Sequence, residues 1–469
     1  VLVPLDEVQA LVVARCPALA PVEVVLDEAL GCVLVEDLLV EHDVPPFANS
    51  AMDGFAVRAV DTADAPVELQ VVGVLAAGSV PTGAVAPGEA IQIMTGAPIP
   101  PGADGIAIVE RCEEVARASE PSGPPGSFGS SRVAAGSPGG VGRLVRVLDA
   151  VQPGAHVRPA GSDMPAGTVA IAAGTALGPA DVGLAASAGA ARLRIVPRPR
   201  VGVMSTGDEL VEADGGPLGP GQIRDSNRHA LLASLRRDGF EPIDLGRVAD
   251  RESDVASAVE RALASCDALI TSGGVSKGEF DFVKLVLEAK AAAAGSHGAV
   301  GSDAAAGSHL ISVAIRPAKP LALAFLPRGR VPAASSVAAE SDQASSIHEP
   351  LVPVFGLPGN PVSSLVSYQV IALPGLRALA GHQRPVLPAV RATASEALRR
   401  KPGDGKLHLT RVRARWADSG RLSVASAGGQ MSHQLGAMAA ANALALLPDG
   451  DGVDAGDNVD VLVFGAIEN

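Results

Sequence analysis

Apolar positions change period several times along the chain, and each change marks a change of element. Near the start, Val8, Leu11 and Val12 recur at helical spacing, and Pro-containing turns follow to about residue 40. From 41 to 150, short apolar runs alternate with Gly/Pro turns: Leu69–Leu75, Ala90–Met94, Gly105–Glu110 and Leu144–Leu148. That pattern predicts a small β-rich module. Beyond 151 the chain is Gly- and Ala-rich, with a helix predicted over Pro179–Gly189, where Pro179 suits a first helical turn.

The clearest alternation lies in about 198–380. Arg200–Met204 reads as a strand. Ser226 can cap a helix carrying Leu231, Leu232 and Leu235, which Gly239 stops. Pro242–Val248 is strand-like, and Asp250 can cap a helix with Val255, Val259 and Leu263 on one face. Ala268–Thr271 reads as a buried strand, and Asp281 opens a further helix. Strands Ile311–Ile315, Leu321–Phe325 and Val352–Leu357 precede a helix from Pro361. Strands alternating with helices imply right-handed crossovers, a doubly wound, mainly parallel α/β sheet, and ligands at the strands' carboxyl ends. From 386 onward the runs Val390–Ala394, Leu407–Trp416, Leu422–Ala425, Ala443–Leu447 and Asn458–Phe464 predict a β-barrel or sandwich. Three Ser-, Gly-, Ala- or Pro-rich segments, Arg117–Gly142, Ala291–Ser308 and Pro327–Pro350, lack the spacing to bury a face and read as loops or partial disorder.

Composition narrows the function. The 469 residues suggest three or four domains, and 47% hydrophobic content suffices for a core. Lys and Arg number 37 against 51 Asp and Glu, a net charge of −14, which argues against a nucleic-acid or anionic-membrane binder. Nine Phe, one Tyr and one Trp offer few platforms for stacked bases. The cysteines Cys16, Cys32, Cys112 and Cys266 form no CxxC, and no HExxH occurs. Asp6 and Glu7 precede any long apolar run, unlike a secretory leader. Pro350–Leu376 and Leu422–Pro448 lack charges but carry prolines, glycines or amides unsuited to a membrane span. A soluble, cytoplasmic protein is expected. An anionic substrate must then meet a local cationic patch or a metal ion.

Four central loops carry candidate chemistry: Ser205–Glu209, Gly221–Asn227, Thr271–Glu279 and Gly356–Ser364. The last two combine glycines, which let a backbone approach a phosphate, with hydroxyls. Asn360 and Pro361 suit a cap and a first helical residue, placing Ser363 and Ser364 in a positive helical turn. For either loop alone a tight strand-to-helix turn is the better account; two such loops in one parallel domain, both ending in hydroxyls, make phosphate binding an equal one. Glu209, Asp225 and Asp267 are oxygen donors of the kind Mg²⁺ takes, although capping accounts for Asp225 alone and a strand start for Asp267. Arg316-Pro317-Ala318-Lys319-Pro320 is a stiff cationic turn, and Phe47–Val57 carries Asn, Ser and Asp between apolar residues. Arg411 and Ser432 individually read as surface residues.

Together these stretches resemble the molybdopterin molybdenumtransferase family, which includes the gephyrin E domain. The resemblance rests on PPFANSAMDGFAVR (Pro45–Arg58), IMTGAPIPPGAD (Ile93–Asp104), VRPAGSDMPAG (Val157–Gly167), VGVMSTGDELV (Val201–Val211), GQIRDSNRHAL (Gly221–Leu231), TSGGVSKGEFDFVK (Thr271–Lys284) and VFGLPGNPVSSLVSY (Val354–Tyr368), in the family's order. It implies a split hinge domain (1–40 and 151–180), a β-rich domain (41–150), a molybdopterin-binding α/β domain (181–385) and a C-terminal β-barrel (386–469). It also implies Mg²⁺-dependent insertion of molybdate into adenylylated molybdopterin, with release of AMP, in a homodimer whose subunits share the active site. Contact with a molybdopterin adenylyltransferase is a further implied partnership.

By motif position, Asp53 and Thr95 would face the site from the partner subunit, with Glu209 and Lys284 as further catalytic residues. Asp225 and Asp267 would hold Mg²⁺. Ser272, Gly273, Gly274 and Ser276 would engage the pterin–phosphate end, with Gly359 and Asn360 in the facing loop. Lys319, Ser363, Arg411 and Ser432 would bind molybdate. The chain departs from the family pattern at Arg316 and Ala318, where Lys and Gly are usual, and at His433, where Ser is usual. Two other functions fit parts of the pattern. One is adenylyltransferase-type nucleotidyl transfer, disfavoured by Gly273-Gly274-Val275-Ser276 where Gly-Gly-Thr-Gly is typical. The other is a non-catalytic scaffold, disfavoured by the retained acidic and basic positions.

Overall fold

Six strands form the central sheet, in the spatial order Glu241–Val248, Arg200–Thr206, Ala268–Ser272, Leu351–Leu357, Pro320–Pro327 and Gly307–Ser312. The first four run parallel and the last two are antiparallel. The computed structural model describes residues 2–115, 143–274, 281–293, 307–329 and 351–467. The three low-complexity segments therefore lie largely outside the described residues. Both faces of the sheet are covered, and successive residues serve opposite cores. Val201, Val203, Ile270, Leu323 and Phe355 pack on one side with helix Asn227–Arg237 and the helical run from Pro361. Met204, Leu269, Ala322 and Val354 pack on the other with helices Glu252–Ser265 and Phe282–Ala293. The run Pro361–Leu379 is long and apolar enough to cross a membrane, but 89% of its apolar window is buried inside the protein.

The first helix, Leu5–Arg15, also belongs to the first of these cores through Val8 and Val12. Gly375 permits that contact, since a Cβ there would sit 2.7 Å from Val12 and 2.8 Å from Phe355. The helix thus packs with the α/β layer, although a boundary at 40 groups it with the hinge. At the other end of the hinge, strand Arg192–Val196 pairs with both Val22–Val25 and Val33–Leu34, so that module runs past residue 180.

The second module is a mixed six-stranded sheet centred on Gly54–Val57, Glu89–Ile93 and Val67–Leu75. The carboxyl-terminal region is a barrel, closed where Leu407–Trp416 pairs with both Leu422–Ser426 and Ala443–Leu447. A two-residue strand, Ile315–Arg316, pairs with Leu407 and His408 and fastens the barrel to the α/β domain.

Candidate active site at the carboxyl end of the central sheet

Parallel pairing brings the ends of Arg200–Thr206, Ala268–Ser272 and Leu351–Leu357 to one edge. The loops leaving that edge pack on one another because their glycines have no side chains. A Cβ on Gly273 (φ +100°) would lie 2.7 Å from the Thr206 carbonyl oxygen, and one on Gly274 (φ +66°) would lie 2.8 Å from Val283. Asn227, at the start of its helix, joins the loops: its amide donates to Ser272 Oγ (2.8 Å) and to the Gly359 carbonyl (2.7 Å). Between them lies a cleft of about 670 Å³ lined by Thr206, Glu209, Asp225, Ser272, Asn360 and, from the barrel, His433.

The Gly273 amide donates to the Leu357 carbonyl (3.1 Å), so this glycine shapes the loop and leaves anion contact to other groups. Asn360 has the extended backbone of a cap, but its side chain makes no capping bond; it faces the cleft instead. The Val362 amide, in the first helical turn, donates to the Ser432 carbonyl (3.1 Å) and ties the barrel loop to this helix.

Asp225 is 2% exposed. It accepts from Ser205 Oγ (2.5 Å), Arg228 Nε (2.9 Å) and the Arg228 amide (3.2 Å), so Asp225 rather than Ser226 caps the helix. Arg228 is itself buried and also pairs with Asp244 and Glu212. Glu209, Asp250 and Asp281 complete the acidic rim. The Asp250 carboxyl is pushed up by burial and by the charges of Asp208, Glu209 and Asp281. Asp250 does not cap the next helix, whose cap is Arg251.

Asp267 does not belong to this site. It precedes strand Ala268–Ser272, at the amino end of the sheet, about 16 Å of parallel strand from Ser272. There it accepts from the Arg200 amide (2.9 Å), Arg200 Nε (3.2 Å) and Arg328 (2.7 Å). Burial opposes its ionisation, but these cationic and amide donors hold the carboxyl below its ordinary range. A strand-start aspartate closes an ion pair there, and the Mg²⁺ role assigned to it is corrected.

Arg411, on barrel strand Leu407–Trp416, is fully buried. One terminal nitrogen donates to the carbonyls of Gly429 (2.6 Å) and Met431 (3.3 Å), while Nε and the other terminal nitrogen have no partner. Burial lowers its pKa. Gln430 holds the loop in place by accepting from the Arg411 amide (2.9 Å) and donating to its carbonyl (3.0 Å). Ser363, buried beside Val362, and Ser432 are connected to Arg411 through this loop. Lys319 is exposed, following Ala318 at φ +78°, and the adjoining Pro320 lines the cleft. Lys284 sits one turn from Glu288 (3.9 Å), and its amide donates to the Gly274 carbonyl (3.3 Å); its side chain does not line the cleft. Ser276 lies outside the described residues.

Asp53 and Thr95 meet on the second module, where Thr95 donates its amide (2.7 Å) and hydroxyl (2.8 Å) to Asp53 Oδ1 and holds that carboxyl below its usual range. Among the described residues, none from the second module lines the cleft. Sequence reading missed Asn227, Arg228, Asp250 and Asp281 as site residues. Asn227 directly follows Asp225-Ser226, and Asp281 follows the glycine loop, so both positions carried a signal read only as helix starts.

Three family models match in order: the MoeA N-terminal region (domain I and II) over residues 3–189, a probable molybdopterin binding domain over 202–378, and the MoeA C-terminal region (domain IV) over 391–464. The fold and cleft are thus those of a multidomain protein built around a molybdopterin-binding-type α/β unit. "Molybdopterin molybdenumtransferase 2" of Mycobacterium tuberculosis is 33% identical, covering 95% of each chain. The molybdopterin molybdenumtransferase of Nostoc is also 33% identical, over 90% of this chain and 84% of its own. A molybdopterin biosynthesis MoeA protein from Pyrococcus horikoshii superposes with a TM-score of 0.67 at 25% identity, covering 99% of this chain and 100% of its own. The chain belongs to the molybdopterin molybdenumtransferase family and is an enzyme of that kind.

Proposed function

We propose that this enzyme inserts molybdenum, supplied as molybdate, into adenylylated molybdopterin in a Mg²⁺-dependent reaction that releases AMP. Arg411 carries the reading. A guanidinium with no access to solvent and two unpartnered nitrogens lacks an anion, and a tetrahedral oxyanion supplies the missing acceptors. Ser363 and Ser432, on the helix start and loop joined by the Val362–Ser432 bond, would add hydroxyl donors, and Lys319 would add a flexible cation. The glycine loops give the adenylylated pterin a groove at the carboxyl ends of the strands, the usual place for ligands in such sheets. Asn227 keeps the two loops in register, and Ser272 and Asn360 face the bound phosphates.

The cleft carboxylates available to a hydrated magnesium ion are Glu209, Asp250 and Asp281, of which one or two would ligate it, with Asp225 behind them. The Asp250 carboxyl, pushed up first by burial and further by the charges of Asp208, Glu209 and Asp281, is consistent with this, since a divalent cation would relieve the like charges. Among the described residues, no group of three or more His, Cys, Asp or Glu is placed to hold a metal ion, so at most two carboxylates would ligate it, with waters and substrate phosphates supplying the rest. When bound, such an ion neutralises phosphate charge and polarises phosphorus. Arg228 and Ser205 hold the Asp225 carboxylate in place through their hydrogen bonds. Asp53 and Thr95 are paired and exposed, away from the cleft, which supports a homodimer in which Asp53 of the partner subunit reaches it. The test is molybdate-dependent AMP release from adenylylated molybdopterin. Release that requires both molybdate and Mg²⁺ supports the reading; release indifferent to molybdate, or ATP-dependent adenylylation of the pterin instead, contradicts it.

A further inference from the structure

A second cavity, of about 650 Å³, opens on the flank of the barrel and shares no lining residue with the cleft. Its origin is a splayed seam. Strand Val390–Ala394 pairs with Asn458–Val463 along four residues, Val390 to Thr393, yet meets Leu422–Ser426 only through Thr393 and Ala394. Val390, Arg391 and Ala392 therefore have no strand partner on that side. In an antiparallel pair alternate residues turn their N–H and C=O away from the partner, so this stretch directs backbone donors and acceptors into the seam. Its length matches about 10 Å of added strand. The floor and walls are apolar, formed by Ala392, Leu422, Val463, Ile467 and the chain's single tryptophan, Trp416, which is 46% exposed.

The charges at the rim are unequal. Arg391 is engaged by Asp460 (3.0 Å), whereas Arg421 has no carboxylate partner among the described residues although it lines the cavity. An open strand edge, apolar pockets for alternate side chains and an uncompensated guanidinium together describe a β-augmentation site.

We propose that this seam binds a short extended peptide segment with alternating apolar and acidic residues, which adds as a strand beside Val390–Ala392 and sets a carboxylate against Arg421. The site lies apart from the molybdenum chemistry and would attach the enzyme to a protein partner without occupying its cleft.

Trp416 reports on the site directly. The intact enzyme is titrated with acetyl-Glu-Val-Glu-Val-Glu-amide, with acetyl-Lys-Val-Lys-Val-Lys-amide and with octanoate, following tryptophan emission. The acidic peptide is expected to give a saturable change, with the lysine peptide at least tenfold weaker. Arg421→Glu is expected to reverse that preference while its melting temperature and AMP release stay as in the parent enzyme. No saturable change with the acidic peptide up to millimolar concentration would overturn the proposal. So would equal binding of both peptides, or unchanged binding to Arg421→Glu. Octanoate binding as tightly as the acidic peptide would overturn strand addition and leave an apolar anion pocket only. AMP release is measured separately, so failure here is distinguishable from failure of the proposed reaction.

Discussion

Two buried arginines of the same barrel are treated in opposite ways. Arg400 donates to the carbonyls of Lys406 (2.6 Å) and Leu447 (3.0 Å) and pairs with Asp404 and Asp449 (2.7 Å each). Its charge is neutralised and its donors are used. Arg411 meets carbonyls only, and two of its nitrogens meet nothing. The first arginine organises the turns that close the barrel. The second is held ready for something the chain itself does not contain. The same contrast divides the central sheet, where Asp267 is locked at the amino end by Arg200 and Arg328 while the acids at the carboxyl end crowd one another around a cleft. In both regions saturation marks structure, and imbalance marks the site.

Substitutions can break this contrast. Arg400→Met should destabilise most, by about 3 kcal/mol, because it removes the buried donor shared by two carbonyls and two carboxylates, although Asp404 keeps His408 and Asp449 keeps the Gly403 and Gly405 amides; a lowered thermal transition checks this. Arg411→Met should behave oppositely. Removing an uncompensated buried cation should leave the melting temperature unchanged or raise it, while molybdate affinity falls about 100-fold, equivalent to about 2.7 kcal/mol. A titration of both proteins with molybdate measures the difference.

Asp267→Asn should lower stability by about 1–3 kcal/mol at pH 7 and leave AMP release intact. Because the folded-state pKa of Asp267 is depressed, its contribution is present above the unfolded carboxyl value of about 3.9 and disappears as pH falls through the folded value. The gap in melting temperature between parent and Asp267→Asn should therefore close below about pH 4. Abolished AMP release would return Asp267 to the chemistry. Ala318→Gly should have the smallest effect, a gain of up to about 1 kcal/mol from relieving φ +78°, reduced by the loss of a buried methyl.

Much of the fold was legible because local patterns and global packing agree. Alternation of short apolar strands with capped helices marked the parallel sheet, and the family motifs fell on its carboxyl-end loops. The errors have a physical cause. Asp225 and Asp267 look alike along the chain, each beside an element boundary, but one follows a loop at the carboxyl edge and the other precedes a strand at the amino edge. Sequence gives position along a strand only after its direction and neighbours are known. Arg411 illustrates the converse. A lone arginine on an alternating strand reads as a surface residue; Val412 and Ala414 do face the barrel interior, but the opposite face, which Arg411 shares with Leu409, is covered by the Gly429–Met431 loop and the α/β domain. The partners of Asp225 were hidden for a simpler reason: Arg228 lies one helical turn away, but Ser205 is twenty residues distant and arrives through the sheet.

The unpartnered Arg411 nitrogens form the oxyanion site on which molybdate binding depends. Equilibrium dialysis of the intact enzyme against molybdate, beside Arg411→Met at matched melting temperature, measures this directly. One bound molybdate per chain in the parent and none in the variant over the same concentration range is the predicted result. Equal occupancy in both proteins would contradict it.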